Sequence, residues 1–457
     1  MKIKLKVTGI PKLGNGFNML KSQPYKLLNA VRHYEWGTRG KNAFIPKLLN
    51  IKAEKDKPYA ELWMGAHPKA SSKIRIDDKT IDLAEAIRNY PIEMLGKKTA
   101  KVYLNSLPFL FKVLSANEAL SIQAHPSKRQ AVWLHKKDPN NYSDSNHKLE
   151  IAVALDSLTA LVGFMPFNQI MQTLKKYPQI HHFIGEKYLK ISGERHSEFI
   201  SESHLKMLKQ VQQDIFNLFR QPQRDFLSDD VKKKFVKKIF TRLLKRSVSD
   251  EVALATTIRK LKNRLLKKNN KTEIEKHFIE LFGKYKNDVG LLILFFLNFV
   301  HLKRGEAIFT KPGIPHAYLK GNIIECMSNS DNVIRAGLTP KYKDAKTLLK
   351  VLNYDLAAPQ ILKGKKIGSS IIYKTNAKEF EIQIFSSTKK ELKFENQIGP
   401  RILFVLEGNL KLLSSDNGKN ISNKFAKGDS VFLPSVLSNF MIASEKISRF
   451  ILVSVPV

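Results

Sequence analysis

The sequence predicts a mainly β protein with a helical insertion and a separate β unit at its C-terminal end. Three observations carry this prediction. Short apolar runs broken by Pro, Gly and Asn fill the stretch from Tyr25 to about Phe164 and return at residues 305–319, which is strand patterning. From about Asn168 the apolar residues instead recur at the spacing of one helical face. From residue 356 onward the chain reverts to apolar strands with tight turns. At 457 residues and 43% hydrophobic content, the chain exceeds what one core usually organises, so two or three domains are expected.

The first β stretch is read from LPFLFKVL (107–114), SIQAHP (121–126) and LEIAVALDSLTALVGF (149–164), and it resumes in GEAIFTKPGIPHAYL (305–319). One unit is therefore expected to combine residues 20–165 with 286–355. Residues 166–285 form the insertion. There Val231, Phe235, Val236, Ile239, Phe240, Leu243 and Leu244 lie on one helical face. Ser228 is placed to cap that helix, with Asp229 and Asp230 in its first turn. Further helices are expected over 250–268, 271–284 and 288–302. The last contains VGLLILFFLNFV (289–300), which is well short of the roughly 20 residues that cross a bilayer and reads as a buried helix. The segment 194–217 is polar with weak periodicity and is expected to be surface decoration. In the unit 356–457, ILFVLEGNLKLL, a turn at SSDNGKN and KGDSVFLP resemble the hairpins of a cupin β-sandwich (jelly roll). That unit has no histidine, so it is a poor metal site and is expected to support or shield the catalytic part.

Composition removes several classes of function. A single cysteine, Cys326, rules out an internal disulfide and points to a reducing, cytoplasmic setting. Residues 1–19 carry lysines without the apolar stretch and cleavage site of a secretory signal. They are read as an extension, with Met19 as a second possible start. Lys plus Arg number 78 against 41 Asp plus Glu, a net charge of +37. The lysines are spread along the chain and densest in amphipathic helices such as VKKKFVKKIFTRLLKR (231–246), with no stacking-aromatic or groove-helix motif beside them. A solvated surface that attracts anionic small molecules is therefore expected, with neither a nucleic-acid nor a membrane partner.

The chemistry-bearing residues come in short clusters. Gln123 and His125 are two apart, so a strand projects both from one face. Alone they are ordinary polar positions. Glu150 opens an apolar strand beside Lys148 and His147, an ionisable group that needs partners to be buried. His316 follows a Pro-Gly turn at the start of another strand. Two imidazoles, a carboxylate and an amide oxygen make a borderline donor set suited to zinc, and one anionic ligand leaves the metal net positive.

The string NSDNVIRAGLTPK (329–341), with YEWG, AELWMGAHP, LPFLFKVL, SIQAHP and GIPHAY in that order, resembles the type I phosphomannose isomerase family. The blocks run from Tyr34 to Lys341. The resemblance implies a zinc-dependent interconversion of mannose 6-phosphate and fructose 6-phosphate, whose product feeds GDP-mannose synthesis. It implies one zinc per chain on Gln123, His125, Glu150 and His316. It also implies a cupin-like catalytic sandwich interrupted by a helical domain and followed by a second cupin-like domain. Leu149 stands where the family usually has Pro, and the helical block is unusually rich in lysine.

Moving a proton between C1 and C2 through an enediol needs ring opening, phosphate binding and stabilisation of an oxyanion. The resemblance draws the proton-transfer and ring-opening groups from Lys148, His147, Glu325 and Asp331. Lys148 is favoured as base, since a desolvated lysine beside a metal can have its pKa lowered. His147 and Asp331 read equally well as supports that orient a neighbour. Arg335, Lys341 and Ser121 match positions at the pocket rim, suited to phosphate or enediolate charge. For Arg335 an ion pair with Asp331, four residues earlier, is the competing reading. Lys112 and Tyr318 match pocket positions, although Lys112 also reads as a snorkelling lysine. Trp36 and Trp63 are assigned to the core. Two other classes remain open at this level: a cupin-type iron oxygenase, against which a fourth ligand at Gln123 argues, and a sugar-binding module without turnover. Oligomeric state is not fixed by the sequence, and a monomer is compatible with it.

Overall fold

The computed structural model describes residues 20–186, 227–387, 391–444 and 446–456. The expected extension at 1–19 and the 194–217 segment lie outside the described residues. The fold is mainly β with a helical segment, as the patterning predicts.

Its centre is a ten-stranded antiparallel sheet. Along the main path the order is Ile361–Leu362, Ala307–Thr310, Glu150–Phe164, His316–Ser328, Phe109–Ala116, Glu61–Met64 and Ala30–Arg32. Leu297–Lys303 joins by pairing with Glu150–Phe164, and Ile122–Ala124 bridges His316–Ser328 to Ile334–Gly337. Side chains alternate across each strand, so neighbours in sequence serve opposite faces. Phe109, Phe111, Val113, Ile151, Val153, Ile324 and Cys326 all enter one core. The residues between them include Lys112, Ala152 and Glu325, which the strand register places side by side on the other face. The apolar runs in the sequence are therefore interrupted where Lys112 and Glu325 turn to the second face.

The apolar face packs on a seven-stranded sheet drawn mostly from the C-terminal stretch, whose Ile382, Ile384, Ile402, Phe404, Ile451 and Val453 share the same core. Phe111 meets Phe404 edge to face at 6.2 Å between ring centroids. A four-stranded sheet closes the other side around Leu403, Val405, Leu410, Leu412 and Phe440. Its hairpin, Asn409–Asp416 with Lys419–Ala426, turns through Asn417 and Gly418 at φ 49° and 77°. Both are left-handed, which is the Asn-Gly turn that matches strand twist. The N-terminal strand Tyr25–Lys26 pairs with Ser430–Leu433, tying the two ends of the chain together.

In the middle, helices Phe167–Lys176, Pro178–Ile184, Asp229–Ser249, Glu251–Leu266 and Glu273–Tyr285 surround a core that includes Phe235, Ile239, Leu243, Ile258 and Phe278. Ser228 Oγ accepts the Val231 N–H at 3.4 Å, with Asp229 and Asp230 following, as the sequence predicts. Helices at Leu83–Asn89, Pro91–Leu95, Lys97–Val102 and Lys128–Lys137 were not expected.

The helix expected over 288–302 is corrected. It is helical only at Gly290–Ile293 and Leu294–Phe296, then becomes the strand Leu297–Lys303, paired with Glu150–Phe164. An all-apolar run fits either state. Here the sheet prevails, because Asn298 Nδ2 donates to the carbonyls of Val162, Gly163 and Phe164 at 3.1, 3.3 and 2.8 Å. Beyond it, exposed His301 and Lys303 alternate with buried Val300 and Leu302.

Candidate metal centre

One strand end and two strand starts converge. His125 follows Ile122–Ala124, Glu150 opens Glu150–Phe164 and His316 opens His316–Ser328. Each is 1% exposed, and their ligand atoms all lie within 4.8 Å of one another. His125 Nδ1 faces the Asn332 carbonyl at 2.9 Å, and His316 Nδ1 faces the Ile314 carbonyl at 2.9 Å. A carbonyl only accepts, so each Nδ1 carries the proton and, in the neutral ring, each Nε2 presents a lone pair. Both Nε2 atoms point at Glu150 Oε2, 3.2 Å from each. Burial pushes the His125 imidazole down to about 4, against the pull of Glu150, so that ring is neutral at pH 7.

The charge balance agrees. Burial opposes ionisation of Glu150, but the opposing pull, led by the Lys148 ammonium, holds the carboxyl well below its ordinary range. Lys148 Nζ lies 2.9 Å from Glu150 Oε1. Beside this pair, Lys112 Nζ is 3.2 Å from Glu325 Oε2 and 3.9 Å from Glu61 Oε2. Burial works against the Lys112 ammonium, yet Glu61, Glu325 and Glu150 keep its pKa raised. Burial raises Glu325, reinforced by the repulsion of Glu150 and Glu61 against the opposing pull of Lys112. Three buried carboxylates thus face two buried ammonium groups: Glu61, Glu150 and Glu325 against Lys112 and Lys148. Two lone pairs meeting a carboxylate oxygen in a buried pocket suit a cation with nitrogen and oxygen ligands. The residues present therefore fit a metal ion.

The other expected site residues fall into three groups. Gln123 pairs across the sheet with both His316 and Arg335, which sets the three side by side. Tyr318 is buried two residues beyond His316, and burial, then Glu325 and Glu150, push its hydroxyl pKa well up. Arg335 and Lys341 line a cavity of 470 Å³ together with Ser247, Asn287 and Tyr342. None of the three metal-facing residues lines it. Among the described residues Arg335 has no ion pair, and burial lowers its pKa. The competing pair with Asp331 does not form: Asp331 binds Lys69 Nζ at 2.7 Å and His67 Nε2 at 3.4 Å. Burial resists the Asp331 charge, but His67 and Lys69 bring its pKa down. His147 Nε2 meets Glu379 Oε1 at 2.7 Å, facing the C-terminal stretch. Ser121 is half-buried just before Ile122–Ala124.

Sequence reasoning missed Glu61, His67, Lys69 and Glu379. Trp63 is buried in the core as expected, and its Nε1 donates to Glu61 Oε2 at 2.5 Å while its ring centroid lies 5.0 Å from Lys112 Nζ. The available signal was a carboxylate inside the otherwise apolar string AELWMG.

Residues 25–167 match the family model for phosphomannose isomerase type I, catalytic domain. Mannose-6-phosphate isomerase 2 of Arabidopsis thaliana is 34% identical over 421 residues, covering 89% of this chain and 87% of that protein. Human mannose-6-phosphate isomerase is 37% identical over 338 residues, 72% of this chain and 73% of that protein. A crystal structure of mannose 6-phosphate isomerase bound with zinc and yttrium superposes with a TM-score of 0.75 at 28% identity, covering 95% of this chain and 100% of that one. A point variant of phosphomannose isomerase from Salmonella typhimurium gives 0.76 at the same identity and coverage. With relatives this similar over most of their length, the chain belongs to the type I phosphomannose isomerase family.

Proposed function

We propose that this mannose-6-phosphate isomerase holds one zinc ion on Gln123, His125, Glu150 and His316 and converts mannose 6-phosphate to fructose 6-phosphate through an enediol. The observation that carries the proposal is the pair of Nε2 lone pairs, each 3.2 Å from Glu150 Oε2 in a buried pocket. When bound, zinc would supply Lewis-acid stabilisation of negative charge on a substrate oxygen.

The remaining work falls to the chain's own residues. Arg335 and Lys341 line one cavity, which Glu251 also lines, and among the described residues Arg335 forms no ion pair. They are our choice for the phosphate, with Ser121 at the rim. Lys148 is our choice for moving the proton between C1 and C2, because it is buried and ends 2.9 Å from Glu150. Glu325 is the second proton-transfer candidate, its charge balanced by Lys112. Lys112 and Tyr318 would line the sugar, and the buried strand floor would keep bulk water from the enediol. His147 and Asp331 act as supports in this reading, since each already holds a partner elsewhere. Residues 20–165 with 286–355 would be the catalytic unit, 166–285 would supply the far wall of the phosphate cavity, and 356–457 would brace the sheet from behind. Among the described residues no helix is long and apolar enough to cross a membrane. We place the reaction in the cytoplasm, with a phosphosugar as the partner molecule.

The test is a coupled assay of fructose 6-phosphate formation from mannose 6-phosphate, run beside elemental analysis of protein purified without added metal. Turnover with about one zinc per chain is expected. Stoichiometric iron with oxygen uptake, or binding of phosphosugar without turnover, would overturn the proposal.

A further inference from the structure

The loop that keeps His125 in its metal-facing tautomer is itself held by the Asp144 carboxylate together with the backbone carbonyls of Asp144 and Asn146. Asn332, whose carbonyl takes the His125 Nδ1 proton, is fully buried. Its side-chain Nδ2 donates to Asp144 Oδ1 at 3.2 Å, to the Asp144 carbonyl at 2.7 Å and to the Asn146 carbonyl at 2.9 Å. Asp144 gathers three more donors. Ser330 Oγ reaches its Oδ1 at 2.9 Å, the Asn146 N–H reaches Oδ1 at 2.8 Å and the Asp331 N–H reaches Oδ2 at 2.9 Å. Ser330 Oγ in turn accepts the Asn332 N–H at 3.2 Å. The segment around 330–332 is therefore fastened to the loop that runs on through Lys148 to Glu150.

We propose that Asp144 is a positioning residue for the metal. Its acceptor-only carboxylate joins the strand start that supplies Glu150 to the loop whose carbonyl orients His125, so that two ligands from distant parts of the chain keep one spacing. Partners that orient a ligating imidazole affect metal affinity nearly as strongly as the ligands do. Aspartate suits the position because four donors converge on its two oxygens. An asparagine there could keep its oxygen where three donors meet but would turn the other acceptor into an NH₂ facing the Asp331 N–H.

This inference rests on the metal reading above, and the experiment separates the two. Zinc dissociation constants are measured by competition with a chromophoric chelator for wild type, Asp144→Ala, Asp144→Asn, Glu150→Ala and Asp250→Ala. Visible spectra of the cobalt(II)-loaded proteins are recorded in parallel. Asp250 accepts the Ala253 N–H at 3.0 Å as the cap of Glu251–Leu266, so its loss destabilises the fold away from the site. Asp144→Ala should weaken zinc binding roughly ten- to hundredfold and alter the cobalt spectrum. Asp144→Asn should do the same to a lesser degree, and it decides the matter if the alanine variant does not fold. Asp250→Ala should lower the thermal midpoint and leave zinc affinity within about twofold, since it touches no ligand. Wild-type affinity and spectrum in the Asp144 variants, or an equal loss in Asp250→Ala, would overturn the role of Asp144. Unchanged affinity in Glu150→Ala would overturn the metal reading itself.

Discussion

Replacing Arg335 by alanine should lower turnover far more than stability. Its guanidinium lines the cavity without a carboxylate partner among the described residues, so little folding energy is at stake, less than about 1 kcal/mol. A cation that meets phosphate or developing charge is worth roughly 10²- to 10³-fold in rate. Coupled-assay kinetics beside thermal unfolding check this, and early unfolding with near-normal turnover would restore a structural role. Gln123→Glu tests the neutral ligand. The variant keeps size and an oxygen but adds a negative charge to the proposed coordination sphere, which weakens the electrophilicity of any bound metal. Metal should be retained while turnover falls roughly ten- to hundredfold; full zinc with full activity would reduce the metal to an organising role. At this scale Gln123, His125, Glu150 and His316 read as ordinary polar positions until the family resemblance singled them out, and the fold then brings His125, Glu150 and His316 together. Asp331 was harder, because its partners His67 and Lys69 come from a distant segment. Only the fold shows that they, and not Arg335, hold it.

Helices and strands were legible in proportion to how one-sided they are. The helix Asp229–Ser249 buries Phe235, Val236, Ile239, Phe240, Leu243 and Leu244, a stripe that only a helix aligns. The run 289–300 is apolar except for Asn298, so its period carries no choice, and pairing with Glu150–Phe164 decided it. Within the helical segment, Glu275 makes a prediction of its own. It is 1% exposed and accepts from Lys268 Nζ at 2.6 Å, the Thr272 N–H at 2.7 Å and Tyr177 Oη–H at 2.8 Å. Burial opposes its charge, yet these donors bring the carboxyl from 4.5 to about 2. A depressed carboxylate stabilises the fold fully above its unfolded value, and that contribution is lost as pH falls from about 4.5 toward 2. The contribution at neutral pH is about 2 to 3 kcal/mol. Glu275→Gln should therefore lower stability at pH 7 and flatten the acid limb of unfolding followed by circular dichroism. An acid limb as steep as that of wild type would show that Glu275 does not set it.

The whole molecule stacks three sheets with a helical segment at one side, so that the face of the central sheet turned away from the C-terminal stretch carries the chemistry. Its net charge of +37 spreads positive potential around a site for a phosphorylated sugar. That potential is screened as the Debye length shrinks from about 30 Å at 0.01 M to about 10 Å at 0.1 M salt. kcat/KM should fall several-fold over that range, while kcat changes little; a salt-independent kcat/KM would show that the excess charge does not assist capture. The architecture was legible because the pattern switches from strand to helix and back, whereas the pairing of Tyr25–Lys26 with Ser430–Leu433 joins ends that no local pattern connects. The central claim is that catalysis depends on a metal held by His125, Glu150 and His316. Its most direct test is to strip the protein with a chelator and titrate zinc back while following conversion of mannose 6-phosphate. The account predicts loss of turnover on stripping, recovery that saturates near one equivalent, and no recovery in Glu150→Ala. Full turnover by the stripped protein, or recovery in Glu150→Ala equal to wild type, would contradict it.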